Sequence, residues 1–193
     1  MIYLLAGLVV FLGVHSLRIF ANDWRTRTIG RIGALPWKAA YSLFSIAGFG
    51  LIVWGYSLAR SEPMLLWSPP LFMRHLAASL TLPALVLLCA AYVPGNAIKA
   101  RLHHPMVLAV KLWAIAHLLA NGTLADVLLF GSFLLWAVFS FSAARRRDRA
   151  AGTVYAPGSR LPTLATVVAG SLAWATFAFW LHGYLFGVQP FAL

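Results

Sequence analysis

Six apolar stretches, at about residues 2–20, 38–59, 70–93, 105–121, 123–143 and 162–187, take up most of the sequence and are separated by turn formers and charged residues. That alternation leaves few folds open. Hydrocarbon offers no partner to a free backbone N–H or C=O, so each stretch must satisfy its own backbone as a helix. A membrane β-barrel would need period-two alternation over about ten residues per strand, and none is visible. Composition agrees. The chain is 62% hydrophobic and 10% charged, where a soluble domain carries roughly a quarter charged residues. The expected fold is therefore all-α, a polytopic membrane helical bundle of about six transmembrane helices in a single domain over residues 1–193, with no internal repeat. Residues 2–20 lack a basic leading region and an A-x-A-like cleavage site, so they read as a first span rather than a cleaved signal.

The basic residues orient the bundle. The net charge of +11 would suggest nucleic acid in a soluble protein, but here the charge gathers in short loops, which favours a membrane reading without nucleic acid. The first connection carries Arg25, Arg27, Arg31 and Lys38, and the third carries Lys99 and Arg101. The fifth carries Arg145, Arg146, Arg147, Arg149 and Arg160. In the second, Arg60 is partly offset by Glu62, and the fourth, around Asn121–Gly122, has no basic residue. By the positive-inside rule the odd-numbered loops are cytoplasmic and both termini lie outside. Trp24, Trp37 and Tyr92 on one side, with Tyr3, Trp67 and Tyr184 on the other, suit the two interfacial belts.

Several chemistries lack their residues. Cys89 is the single cysteine, so neither a disulfide framework nor a cysteine-rich metal site can form. The acids are Asp23, Glu62, Asp126 and Asp148, too few for an oxygen-ligand calcium or magnesium site or for paired carboxylates within the spans. No glycine-rich phosphate loop and no G-x-S-x-G nucleophile elbow is present. No side chain is assigned a catalytic role.

The remaining polar chemistry is nitrogen, and ionisable groups inside spans mark a functional site by default. His75 stands beside Arg74 and reads as a snorkelling residue, and His182, between Trp180 and Tyr184, reads as an interfacial anchor. His103 and His104 precede Pro105, a favoured first residue of a helix. There His104 either meets an exposed amide or lipid phosphate or belongs to a site. Lys111 follows on nearly the same helical face, too deep to snorkel easily, and asks for a polar or anionic partner. Val110, Trp113, His117 and Asn121 follow steps of three and four along one stripe, against which something packs. His15, beside Ser16 and one turn before Arg18, poses the same choice. For both histidines a hydrogen bond between helices competes with ligation.

With carboxylates scarce, imidazole ligation of a transition metal or a haem iron is the site chemistry that survives. His104 and His117 cannot hold one iron from a straight helix, because they stand roughly 20 Å apart along it. A second ligand has to come from another span.

The segments GVHSLRIFANDWRTRTIGRIGALPWKAAYSLFS (13–45) and HHPMVLAVKLWAIAHLLANG (103–122) resemble the NnrU family of bacterial membrane proteins, and the likeness extends over essentially the whole chain. It implies a multi-pass protein of the bacterial inner (cytoplasmic) membrane, linked to nitric oxide and nitrite metabolism in denitrifying bacteria. The same domain is similar to 15-cis-ζ-carotene isomerase of plants and cyanobacteria, which uses haem b to turn a central cis double bond trans. The axial histidines of that enzyme lie in motifs matching Val14-His15-Ser16 and Ala116-His117-Leu118. The resemblance thus implies haem b on His15 and His117, with His104, Trp113 and Lys111 as further cofactor-binding candidates. His104 matches the histidine of the isomerase's Arg-His-Pro motif, although Leu102-His103 replaces the preceding Thr-Arg. Ala114 stands where the isomerase has a cysteine proposed as an alternative ligand, so a ligand switch of that type lacks its residue. By depth, His15 and His117 differ by roughly 12 Å along the membrane normal, which requires a tilted haem. His75 is the alternative partner on that ground.

Three functions follow as expectations. The first is a haem-b membrane protein of nitrogen-oxide metabolism; with both axial positions filled, one histidine has to leave before nitric oxide can bind. The second is a haem-dependent cis–trans isomerase of a carotenoid-like polyene entering from the bilayer, chemistry that asks for no carboxylate. The third is a haem-free structural subunit whose histidines join helices. Membrane lipids are partners in every case, and the basic loops suit anionic headgroups or a soluble cytoplasmic partner.

Overall fold

The expected spans form helices in a computed structural model that describes residues 1–191. Residues 192–193 of the expected domain lie outside the described residues. The helices are α1 (Ile2–Phe20), α2 (Asn22–Ile32), α3 (Ala34–Ser61), α4 (Leu71–Tyr92), α5 (Ala97–Leu102), α6 (Pro105–Ala120), α7 (Leu124–Ala150) and α8 (Arg160–Thr176). α8 continues through a π-helical turn (Phe177–Leu181) into the short α9 (His182–Phe186). Five of these elements, α1, α3, α4, α7 and the continuous α8–α9 run, are long and apolar enough to cross a membrane, and the chain is a multi-pass membrane protein.

Two departures from the expected spans have local causes. The stretch at 105–121 forms a helix of 16 residues, which at 1.5 Å per residue is about 24 Å long and shorter than a bilayer core of roughly 30 Å. It is cut off from α5 by a turn at His103 (φ 66°, ψ −47°), where the His104 N–H reaches the Leu102 carbonyl at 2.8 Å. That two-residue reach is a γ-turn, a strained geometry for a residue with a side chain. The other departure is α2, where a loop was expected. Its Thr26 and Thr28 hydroxyls donate to the Asn22 and Trp24 carbonyls one turn back, and it buries no residue. Trp24 meets Trp37 of α3 edge-on, with ring centroids 5.9 Å apart.

Helix neighbours run in the order α3, α1, α7, α6, α4, α8. Glycines line the α1–α3 seam and let the two backbones approach closely. A Cβ on Gly48 would stand 2.7 Å from the Phe11 nitrogen, and one on Gly55 would overlap the Leu4 backbone. Without a hydrophobic drive between helices in lipid, such backbone proximity supplies the packing. Gly55→Ala is expected to lower stability by about 1–3 kcal/mol. Gly50, whose Cβ would meet open space, gains up to about 1 kcal/mol as alanine. Thermal unfolding in detergent separates the two.

Side chains and turns tie the loops together at each end. At one end Asn96, 1% exposed, donates to the Ala90 and Val93 carbonyls and accepts the Lys99 N–H. The Ala97 N–H donates to Thr163 Oγ1, and the Ser159 N–H donates to the Gly95 carbonyl. This end carries the basic residues expected in the first, third and fifth connections, although Arg145, Arg146, Arg147 and Arg149 extend α7 as helix rather than lying in a loop. At the opposite end the Gly122 carbonyl accepts the Leu66 and Trp67 N–H groups, and Arg60 Nη1 donates to the Phe186 carbonyl at 2.9 Å. Tyr3 stacks on Trp54 there, 4.3 Å between centroids. Residue 1 and Phe186 therefore share the end away from the basic loops. Within α4, Pro83 interrupts the backbone ladder, and nearby the Trp174 indole N–H of α8 donates to the Ala78 carbonyl and to Thr81 Oγ1.

Candidate functional site

The buried core of the bundle gathers Leu4, Leu8, Ile52, Ala59, Ala114, Ala125, Leu129 and Phe130 from α1, α3, α6 and α7. His117 lies at the edge of that core, one turn from the end of α6. Its Nδ1–H donates to the Trp113 carbonyl at 2.8 Å, and Nε2 has no protein partner among the described residues. Its ring stacks on Phe130 of α7 at 4.5 Å between centroids, with Trp113 at 5.2 Å and His182 at 6.5 Å. The Asn121 side chain donates to the His117 carbonyl and ends the helix. Trp113 and His117 of the stripe expected from sequence spacing thus pack against α7, and His182 of α9 stands near the His117 ring.

His15 has the same local arrangement on α1. Its Nδ1–H donates to the Phe11 carbonyl at 2.6 Å, and the ring contacts Phe11, Tyr41 and Trp136. None of these is a neighbour of His117. Between the two histidines stands Phe133 of α7, whose ring lies 5.7 Å from Phe11 and 5.6 Å from Trp113. Trp136 meets the His15 ring edge-on, and its buried indole N–H has no hydrogen-bond partner.

The other sequence candidates fall into a separate cluster at the basic end. His104 Nε2–H donates to Asp148 Oδ2 at 2.7 Å, and the Tyr155 hydroxyl donates to the same oxygen at 2.9 Å. The His103 ring lies flat on Tyr155, 4.0 Å between centroids and 2° between planes, and Arg145 Nη1 donates to its Nδ1. These contacts hold the strained γ-turn. Lys111 finds an aromatic rather than an anionic partner: its ammonium sits 4.4 Å over the Phe141 ring, which His104 also meets edge-on. His104 and Lys111 therefore share a face, as their spacing predicts, but neither touches His117. His75 is exposed and faces Phe191.

Burial and then the Asp148 carboxylate beside its hydroxyl push the Tyr155 phenol above its ordinary value of 10.0. Because the folded state holds that proton more tightly, its contribution to stability is present below the ordinary phenol range. It is lost as pH rises through the folded value. Asp148→Asn is expected to move the Tyr155 phenolate transition to lower pH, read as absorbance relative to Tyr155→Phe.

Sequence reasoning missed two groups. Asp126, 5% exposed, accepts the Tyr56 hydroxyl on Oδ1 at 2.5 Å, and the Thr123 N–H and hydroxyl on Oδ2 at 3.0 and 2.6 Å. T-x-x-D before an apolar run was the available signal for the capping half of this network. His182 was read as an interfacial anchor, yet it faces the His117 ring. Nothing in its local sequence marks that contact.

Helical spans, antiparallel ends and polar residues inside the bundle together define a polytopic α-helical membrane protein whose intramembrane histidines sit among aromatic side chains. The chain belongs to the NnrU family, whose model, described as NnrU protein, matches residues 3–190. That family is associated with nitric oxide and denitrification gene clusters. No curated protein and no solved structure matches the chain.

Proposed function

We propose that this chain is a haem-b-binding protein of the bacterial inner membrane that serves nitric oxide and nitrite metabolism. The observation that carries the reading is the state of the His117 ring. Its Nδ1–H is committed to a backbone carbonyl, so the Nε2 lone pair is left for a metal, and ligating histidines are ordinarily fixed in this way. His15 has the same arrangement and is the partner that the family resemblance implies. His104 does not share it, since its Nε2–H is committed to Asp148.

The donor set fits haem better than a bare ion. Among the described residues no three His, Cys, Asp or Glu side chains converge, so an ion would lack ligands. A haem iron brings four nitrogens and asks the protein for at most two more. The orphaned Trp136 N–H supplies a donor suited to the carboxylates of such a group. Haem when bound supplies one-electron chemistry and an iron centre for small ligands. The protein's part is to fix the His117 ring between Trp113 and Phe130 in aromatic, apolar surroundings. The positive-inside rule favours the basic end in the cytoplasm and both termini outside, with the loop cations against anionic headgroups.

The visible spectrum of protein purified in mild detergent from haem-replete cells tests this. A Soret band with bis-histidine character is the expected result, and folded, colourless protein overturns it. Incubation of the coloured protein with 15-cis-ζ-carotene then separates the isomerase alternative, which requires conversion to the trans product.

A further inference from the structure

We propose that the groove between α5 and the start of α8 is a binding site for an anionic glycerophospholipid of the surrounding membrane. Its lining is amphiphilic. Arg101 of α5 and Arg160, the first residue of α8, share one open groove of about 500 Å³ with Thr163, Leu164 and Val167. Steps of three and four from Arg160 put those three residues on one face of α8. At 1.5 Å per residue, Val167 lies about 10 Å along the helix from Arg160. Arg160 also opens the apolar run Arg160–Phe186, which is long enough to cross a membrane. The arginines thus stand at headgroup level, and the apolar side chains continue into hydrocarbon. A lipid phosphate suits the first part and its acyl chain the second. A free phosphate would leave Leu164 and Val167, both exposed, without a partner.

The positive charge of the groove has no counterpart in the protein. Among the described residues the one ion pair joins His104 to Asp148, and no acidic residue lines the groove. α8 begins without a side-chain cap and with no acidic residue in its first turn, so the positive end of its dipole stays unneutralised. Lys99, the other cation of α5, is committed elsewhere: its ammonium donates to the Ala91 carbonyl at 2.9 Å. Guanidinium groups match phosphate oxygens with paired hydrogen bonds, and basic pockets between helices on the cytoplasmic side suit anionic headgroups.

The two walls are held at a fixed separation. The Ser159 N–H donates to the Gly95 carbonyl at 2.9 Å, and the Ala97 N–H donates to Thr163 Oγ1 at 2.8 Å. The buried Asn96 side chain accepts the Lys99 N–H at 2.7 Å and so fixes the start of α5. Gly158 lies directly on the Ala97 backbone, which a Cβ would overlap. The arginines are therefore carried on elements placed before a lipid arrives, which lowers the ordering cost of binding.

Native mass spectrometry of the delipidated full chain in mild detergent tests the site, with phosphatidylglycerol and phosphatidylcholine of matched chains as probes. Wild type is expected to hold phosphatidylglycerol about tenfold more tightly than phosphatidylcholine. Arg101→Gln/Arg160→Gln is expected to lose that preference. Both side chains are exposed, so helix content by circular dichroism should not change. Arg27→Gln/Arg31→Gln removes the same charge from exposed positions of α2 and is expected to keep the preference. Equal binding of the two lipids by wild type, or equal loss in the two double variants, overturns the proposal. Displacement of the bound lipid by inorganic phosphate also overturns it, because the site would then be one for free phosphate.

Discussion

His117→Ala is expected to abolish haem retention, leaving folded protein without a Soret band. Even outer partners of metal ligands cost roughly 10–100-fold in affinity when removed, and loss of the ligand itself costs at least as much. The fold should survive. His117 stands at the edge of the core, and its one side-chain hydrogen bond goes to a carbonyl of its own helix, so truncation leaves no distant group unpaired. Phe130 and Trp113 keep their edge-on contact at 5.1 Å. The measurement is the ratio of Soret to protein absorbance, with circular dichroism as the control for folding. An unchanged band in His117→Ala would remove the centre of the proposed function.

The largest effect on stability is expected at Asp126. Its carboxylate accepts from Tyr56 of α3 and from the N–H and hydroxyl of Thr123, so it links α3 to the start of α7 and caps α7. Asp126→Ala strands the Tyr56 hydroxyl and the Thr123 N–H where little water can reach. Each stranded group costs about 1–3 kcal/mol, so the total is on the order of 4 kcal/mol. At roughly 2–4 °C per kcal/mol for a chain of this size, thermal unfolding in detergent should move down by about 10 °C. Asp126→Asn keeps the shape and most acceptor capacity and should lose less than half of that. Equal losses in the two variants would show that the charge, rather than the hydrogen bonding, holds the site.

What the sequence made legible was whatever depends on local composition. Five of the six long apolar runs and the alternation of the connections between two ends are consequences of hydropathy, and they are found as expected, as is the closeness of Trp113, His117 and Asn121 along one helix. The shortness of α6 depends on a γ-turn at His103, a residue with no ordinary preference for positive φ, which is held by Tyr155 and Arg145 from distant parts of the chain. His104 is tied to Asp148 across 44 positions, a pairing no local pattern announces. His182 was set aside because Trp180 and Tyr184 beside it suggest a membrane surface. A regular 3.6-residue period cannot anticipate the π-helical turn that reorients it. Trp136 looks like any aromatic in a span until its N–H is seen to have no acceptor.

The order of helices across the bundle also bears on how the chain is made. α1 packs with α3, and α4 with α6, but α7 is the helix that packs both on α1 and on α6. The two earlier pairs are therefore joined in the finished bundle through α7. Leu4 and Leu8 in one and Ala114 in the other stay without their shared cover until Ala125, Leu129 and Phe130 emerge. A chain that ends before residue 124 lacks the helix that joins the two pairs.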